Sequence, residues 1–103
     1  MKIGIVILNW NGLDLLRKYL NEIILNSDNS TIYIIDNNSS DESVLYVRNN
    51  YTEVKVISLD KNYGFAEGYN IGLKEVEEEY VCIINNDILV TENWLDPIRK
   101  KIK

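Results

Sequence analysis

Short runs of apolar residues recur along this chain and alternate with stretches whose apolar positions fall three and four apart. Residues 3–8 (Ile-Gly-Ile-Val-Ile-Leu) read as a strand, ended by Asn9-Trp10-Asn11-Gly12. Leu13, Leu16, Leu20, Ile23 and Ile24 then mark one face of a helix. After a polar turn at 26–30, residues 31–36 form a second strand running into Asp36 and the loop Asn37-Asn38-Ser39-Ser40-Asp41. Ser39 and Glu42 have capping-box spacing and predict a short helix to about residue 49. Residues 54–59 alternate imperfectly, Val54, Val56 and Leu59 against Lys55 and Ser58, which predicts a strand at a sheet edge.

A loop at 60–64 leads to a predicted helix over 65–78, with Phe65, Tyr69, Leu73 and Val76 turned inward. Glu75, Glu77, Glu78 and Glu79 read as its solvated end. Residues 80–85 (Tyr-Val-Cys-Ile-Ile-Asn) form the strand expected at the centre, apolar enough to be covered on both faces, followed by Asn86 and Asp87. A last helix carries Trp94, Leu95, Ile98 and Ile102, with Pro97 in its first turn and Asp96 as cap. Arg99, Lys100, Lys101 and Lys103 then suit the dipole at its carboxyl end.

Strands alternating with helices, with no tight hairpin signal, give an α/β chain. The sheet is Rossmann-like and parallel, made from right-handed crossovers with helices on both faces. One strand is left without a flank: nothing after 80–85 reads as its neighbour. It either pairs with another molecule, promoting self-association through an open edge, or belongs to the first part of a larger domain.

Composition narrows the chemistry. The 103 residues fit one compact domain, and 46% hydrophobic content with a single Pro excludes a disordered chain. A formal charge of −5 argues against nucleic acid as a partner, since that role needs a basic surface. With no His, a Ser-His-Asp triad and His-based zinc sites are excluded within the chain. Cys82, alone in an apolar run, reads as a buried, inert thiol. No signal peptide or spanning segment is visible, so the expected location is cytoplasmic, with peripheral membrane association in a full-length protein.

Ligands of parallel α/β sheets gather beyond the carboxyl ends of the strands. Asp36 and Asp87 both stand there, and two acids at two strand ends make one candidate site. Asp87, after Asn85 and Asn86, is suited to Mg²⁺ or Mn²⁺, which use one or two protein carboxylates plus substrate phosphates. The bland alternative is an Asp capping the next turn. Asp36, as an acceptor, suits a base N–H or ribose hydroxyls; Asp41 reads as a helix cap. Gly64, Gly68 and Gly72 recur every four residues beside Asn62 and Asn70. An interior helical Gly costs about 1 kcal/mol against Ala, so either close packing on the sheet or close approach of a ligand must compensate.

Four segments in order, residues 5–12, 35–41, Asn62-Tyr63-Gly64-Phe65-Ala66 with Gly68, Asn70 and Gly72, and Asn85-Asn86-Asp87, resemble the nucleotide-binding amino-terminal part of family 2 glycosyltransferases of the GT-A fold. The resemblance covers essentially residues 1–103. The Asn-Trp-Asn-Gly start and Gly-Phe-Ala segment look nearest to rhamnosyl- and galactosyltransferases of surface polysaccharides. It implies a sheet in the order 3-2-1-4, incomplete in this length of chain. It implies a donor pocket formed by Asn9, Trp10, Asn11, Asp36, Asn38, Asn62, Gly64, Asn85 and Asn86. In that pocket Asp36 would accept the imino N–H of uracil or thymine. Asp87 matches the last acid of the family's Asp-x-Asp metal motif; the first is replaced by Asn85, which removes one negative charge. The implied partners are a UDP- or dTDP-linked sugar donor and a saccharide or lipid-linked acceptor, with inversion at the anomeric carbon. The family's general base lies in the acceptor half downstream, so no catalytic residue is assigned here.

Two rival enzymatic or signalling readings lack their marks. A sugar-nucleotide pyrophosphorylase would carry a Gly-rich basic loop after the first strand, and a response-regulator receiver would carry paired acids there. Leu8-Asn9-Trp10-Asn11-Gly12 is neither. A non-catalytic nucleotide-binding module stays open for a chain of this length.

Overall fold

The computed structural model describes residues 2–88 and 90–102, with the backbone alone for Ile102. Four strands, β1 (Ile3–Asn9), β2 (Ser30–Asp36), β3 (Lys55–Ser58) and β4 (Tyr80–Ile84), form one sheet in the order β3-β2-β1-β4. All three pairings are parallel, with Asn9 opposite Asp36 and Ile7 opposite Ile84. The helices are α1 (Leu13–Leu25), α2 (Ser43–Asn50), α3 (Phe65–Gly72), continued by a 3-10 turn at Leu73–Glu75, and α4 (Asp96–Ile102).

β1 is apolar throughout because both its faces are covered. Ile3, Ile5 and Ile7 meet Leu16, Leu20 and Ile23 of α1, Val47 of α2 and Leu95 ahead of α4. Val6 faces the other way, into a smaller cluster with Tyr33, Ile35, Ile57 and Tyr69. Each Leu or Ile so buried contributes about 1.5–3 kcal/mol relative to exposure, so the larger cluster holds most of the apolar stabilisation. Leu16, Leu20 and Ile23 are the fully buried positions of α1, matching the spacing in the sequence.

α3 lies close on β2, and Gly72 sets that distance. A Cβ there would stand 2.4 Å from Ile35 Cδ1 and 2.6 Å from its Cγ1. Packing on the sheet therefore accounts for Gly72.

Several expectations change in three dimensions. The helix expected over 65–78 is α-helical only to Gly72, and Val76 is already extended. In the acid run, Glu75, Glu77 and Glu79 are exposed as expected, but the helix has ended by Val76 and Glu78 is half-buried. Tyr33 Oη donates to Glu78 Oε1 at 2.6 Å and accepts from Glu77 N at 3.3 Å, which draws the segment onto β2. Phe65 is 65% exposed instead of inward, its ring edge-on to Tyr69 at 5.0 Å. The Ser39–Glu42 capping box does not form. α2 begins at Ser43, and its N–H is met by Asp41 Oδ1 while Ser39 is used elsewhere.

Trp94 and Leu95 precede α4, where Trp94 Nε1 donates to Ser27 Oγ at 2.8 Å. Lys103 lies outside the described residues. Arg99 Nη2 donates to the carbonyls of Asp28 and Asn29, tying α4 to the turn before β2.

β3 is an edge strand as its alternation implies. β4, expected at the centre, is the opposite edge among the described residues. Its Ile84 is buried and Cys82 partly buried on the α1 side, whereas Val81 and Ile83 are 40% and 48% exposed. α3 covers the neighbouring strands but does not reach across β4. Burial pushes the Cys82 thiol up, away from the reactive thiolate.

Two outcomes follow from this packing. Gly72→Ala gains about 1 kcal/mol of helix propensity but overpacks against Ile35, which costs about 1–3 kcal/mol. Urea melts should show net destabilisation; a more stable variant would contradict the close approach. Burial opposes the charge on Glu78, yet hydrogen bonds from Tyr33 and Thr31, aided by Lys55, hold its carboxyl below the ordinary value. A depressed folded-state value contributes stability above the unfolded value of about 4.3, lost as pH falls through the folded one. Tyr33→Phe should therefore lower stability by about 1 kcal/mol at pH 7 and by less near pH 3. An equal loss at both values would refute the Tyr33–Glu78 linkage.

Candidate functional site

The site grows from the register pair Asn9 and Asp36, at the carboxyl ends of β1 and β2. Both are buried, Asn9 completely and Asp36 to 3% exposure. An ionised carboxylate accepts only, and Asp36 is met by neutral donors. Its Oδ1 accepts from Asn9 Nδ2 at 3.0 Å and Ser39 Oγ at 2.7 Å, and its Oδ2 from Ser39 N at 2.9 Å. Asn9 Nδ2 also lies 2.9 Å from Ser43 Oγ, itself fully buried.

The loops above are joined by asparagines. Asn11, with φ +50°, accepts on Oδ1 from Ser40 N at 2.7 Å and Asp41 N at 3.2 Å, while its own N–H donates to Ser39 Oγ at 2.9 Å. Asp41 Oδ2 accepts from Leu13 N at 3.1 Å, so an acid from one loop caps the first turn of α1. Burial works against the Asp41 charge. Hydrogen bonds from the Ser43 hydroxyl and N–H and from Leu13 N–H outweigh it and keep the carboxyl below its usual range. The capping role expected for Asp41 holds, for two helices at once. Asn38 is exposed with φ +63°.

A neighbouring network organises the loop after β3. Buried Asn37 accepts from Tyr63 N at 3.0 Å and donates from Nδ2 to Gly64 O at 2.8 Å. Asn62 Oδ1 accepts from Gly64 N at 2.8 Å, and Gly64 takes φ +82°, a conformation for which glycine is suited. Gly68 leaves space for Asn37: a Cβ there would be 3.0 Å from its Nδ2. Asn62 and Gly64 thus belong to one loop construction.

At the end of β4, Asn85 and Asp87 are exposed and Asn86 is half-buried. They line a cleft of about 370 Å³ together with Leu8, Trp10, Asn11, Gly12, Leu15 and Phe65. Trp10 and Phe65 present large exposed rings to it. Asn86 Nδ2 donates to Asn9 Oδ1 at 3.4 Å, linking this turn to the buried pair. Among the expected residues, Trp10, Asn11, Asn85, Asn86 and Asp87 therefore share one cleft. Asn9 and Asp36 lie in the packed layer joined to it, and Asn38, Asn62 and Gly64 stand on adjoining loops. Asp36 and Asp87 end strands on either side of β1. They share the carboxyl edge of the sheet, Asp36 facing inward and Asp87 the cleft.

A larger cavity, about 460 Å³, lies at the amino ends of the strands between Lys2, Ser27, Thr31, Glu53, Lys55 and Glu77. Parallel α/β sheets bind ligands at the other end, so the smaller cleft is the candidate. For a divalent ion the cleft offers the Asp87 carboxylate and the amide oxygens of Asn85 and Asn86. No group of three His, Cys, Asp or Glu suited to a metal is found among the described residues. That donor set fits Mg²⁺ or Mn²⁺ held partly by a ligand's phosphates, and not a cage made by protein alone.

Asn37, Ser39, Ser43, Gly12 and Phe65 were not legible as site residues. Asn37 follows a strand end directly, the one signal that would have marked it. Ser39 and Ser43 are held both by nearby acids, Asp36 and Asp41, and by the distant Asn9, while Gly12 and Phe65 reach the cleft only through the fold.

The sequence profile of Glycosyl transferase family 2 matches residues 4–103. The uncharacterized glycosyltransferase YwdF of Bacillus subtilis is 32% identical over 105 residues, covering all of this chain and 39% of that protein. Among solved structures, S. aureus TarS 1–349 in complex with UDP-GlcNAc superposes with a TM-score of 0.85 at 21% identity, over 99% of this chain and 31% of that one. The mannosyltransferase PcManGT from Pyrobaculum calidifontis, in complex with GDP-Man and Mn²⁺, gives 0.75 at 19% identity, over 88% and 29% respectively. The chain thus spans about two-fifths of the curated relative's length. Among the described residues no helix is long and apolar enough to cross a membrane. With its GT-A arrangement of strands and a family match along nearly its whole length, the chain belongs to glycosyl transferase family 2.

Proposed function

We propose that residues 1–103 are the donor-binding part of a glycosyltransferase that uses a UDP- or dTDP-linked sugar. The observation that carries this reading is the single cleft joining Trp10 and Asn11 of the loop after β1 to the Asn85–Asp87 turn after β4. In this reading the cleft takes the nucleoside diphosphate. Asp87 holds a divalent cation, and the Asn85 and Asn86 amides hydrogen-bond ribose hydroxyls or cation-bound water. Asn38, Asn62 and Gly64 shape the adjoining wall. Among the described residues Asp36 Oδ2 takes one bond, from Ser39 N, and so retains acceptor capacity for the imino N–H of a pyrimidine. Asn11 and Ser39–Asp41 are joined by exposed hydrogen bonds, and in this reading these part to admit a base.

In the complete reaction an acceptor hydroxyl attacks the anomeric carbon with inversion, a base outside this chain takes its proton, and the nucleoside diphosphate leaves. The cation, when bound, supplies neutralisation of the charge growing on that leaving group. Asn85, in place of an acid, leaves the protein with one carboxylate fewer to hold it. A saccharide or lipid-linked acceptor of a surface polysaccharide, handled on the cytoplasmic side of a membrane, completes the reading. Val81 and Ile83 also make β4 a surface for self-association of the chain in this length.

Saturating UDP or dTDP with Mn²⁺ should raise the melting temperature by on the order of 10 °C, since a ligand at about 100 times its Kd stabilises by about 2.7 kcal/mol. Asp87→Ala should remove the metal-dependent part of that rise. An unchanged melt across a panel of nucleoside diphosphates with metal would sink the donor-pocket reading. Light scattering should detect dimers or larger species that Ile83→Lys suppresses; a strictly monomeric parent chain would contradict the association.

A further inference from the structure

The geometry points to Asn9 as a positioning residue for the turn that carries Asp87, acting through one amide-to-amide hydrogen bond for which Gly12 keeps the space. This inference rests on reading Asp87 as the metal-holding acid.

The orientation of the Asn9 amide is decided by its surroundings. Its nitrogen faces Asp36 Oδ1 at 3.0 Å, Ser43 Oγ at 2.9 Å and Ser39 Oγ at 3.3 Å. A flipped amide would set its carbonyl oxygen against the buried carboxylate, a repulsive acceptor–acceptor contact. The oxygen must therefore face away from β2. There it meets Asn86 Nδ2 at 3.4 Å. Asn85 and Asp87 on either side are exposed, so among the described residues this is the side-chain hydrogen bond that ties the turn to the sheet. At 3.4 Å it stands at the long end of hydrogen-bond geometry.

Gly12 supplies independent evidence. A Cβ on it would lie 2.4 Å from Asn9 Oδ1 and 2.5 Å from Asn86 Nδ2, between the two amides. Its backbone, at φ −102° and ψ 31°, does not demand glycine. Space for the bridge, and not backbone conformation, is what this position provides. The buried acid of β2 thus fixes an amide on β1, and that amide aims the turn after β4. The base side and the cation side of the cleft are coupled through one side chain.

The test uses the ¹⁵N-labelled chain with Gly12→Ala, Asn86→Ala and the double variant. Gly12→Ala should shift the backbone amides of residues 85–88 and release the Asn86 side-chain amide to its solvent-exposed position, with β2 and β3 amides unmoved. In the presence of UDP, the Mn²⁺ concentration that half-broadens the turn signals should rise about tenfold in either single variant, as for other groups that orient a metal ligand. The double variant should be no worse than Asn86→Ala. Turn amides that stay in place in Gly12→Ala, or a Mn²⁺ midpoint unchanged in folded variants, would overturn the proposal. If Gly12→Ala does not fold, Asn86→Asp decides: it keeps an oxygen for the ion but loses the donor to Asn9 Oδ1, so the Mn²⁺ midpoint should rise, and a midpoint that stays or falls would overturn the proposal. A parent chain that takes up no Mn²⁺ while its turn still responds to Gly12→Ala would sink the metal reading and leave the positioning role supported.

Discussion

A carboxylate buried among neutral donors is the constraint on which the rest of this molecule turns. Asp36 is taken from water and compensated by three hydrogen bonds, from Asn9 Nδ2, Ser39 Oγ and Ser39 N. Leaving a buried charge short of a donor costs at least the 1–3 kcal/mol typical of an unsatisfied polar group. Each donor is therefore held in place. Asn9 must stay opposite Asp36, which pins the register of β1 on β2. Ser39 must turn back on the strand it follows, which folds the loop of residues 37–41 over the strand ends. Asn11 and Asp41 then complete that loop, and Asp41 in turn caps α1. A requirement at one carboxylate passes outward to the strand register, a loop and a helix start.

The sheet distributes its cover unevenly, and this shapes the cleft. On one face α1, α2 and the segment around Leu95 press on β1 and β2 with the larger apolar cluster. On the other, α3, the 3-10 turn after it and the segment to Glu78 cover β1 to β3, with Gly72 bringing α3 close. The gap beyond α3 leaves Val81 and Ile83 bare. At the carboxyl edge it leaves room between Phe65 and the Asn85–Asp87 turn. The same short helix that exposes part of β4 therefore also opens the cleft. α3 can be short because the chain after it is held by Tyr33 through Glu77 and Glu78.

Much of this was legible in the sequence, for physical reasons that can be named. Strands buried on both faces must be apolar throughout, so residues 3–8 and 31–36 announced themselves; 80–85 has the same composition, yet Val81 and Ile83 leave one of its faces exposed. Polar residues after such runs fall at the carboxyl edge, which placed Asp36 and Asp87 on one side of the sheet. What could not be read depends on which partners the fold brings together, some near in the chain and some distant. Ser39 and Glu42 have capping-box spacing, but a buried carboxylate competes for Ser39 and wins. Phe65 has the right helical phase for burial, yet it sits on the first turn of α3, beyond the edge of the cluster it was expected to join. Glu78 looks like solvated charge until Tyr33, 45 positions earlier, supplies its donor. Gly12 stands in the Asn-Trp-Asn-Gly segment, but nothing local gives its reason, which is the meeting of Asn9 and Asn86, 77 positions apart.

The most direct test of the account is a crystal structure of this chain with UDP and Mn²⁺. The account predicts the ion against Asp87, the diphosphate between it and the Trp10 loop, and the Asn9–Asp36 pair intact beneath. Nucleotide or ion seated instead at the amino ends of the strands, among Lys2, Glu53 and Glu77, would contradict it.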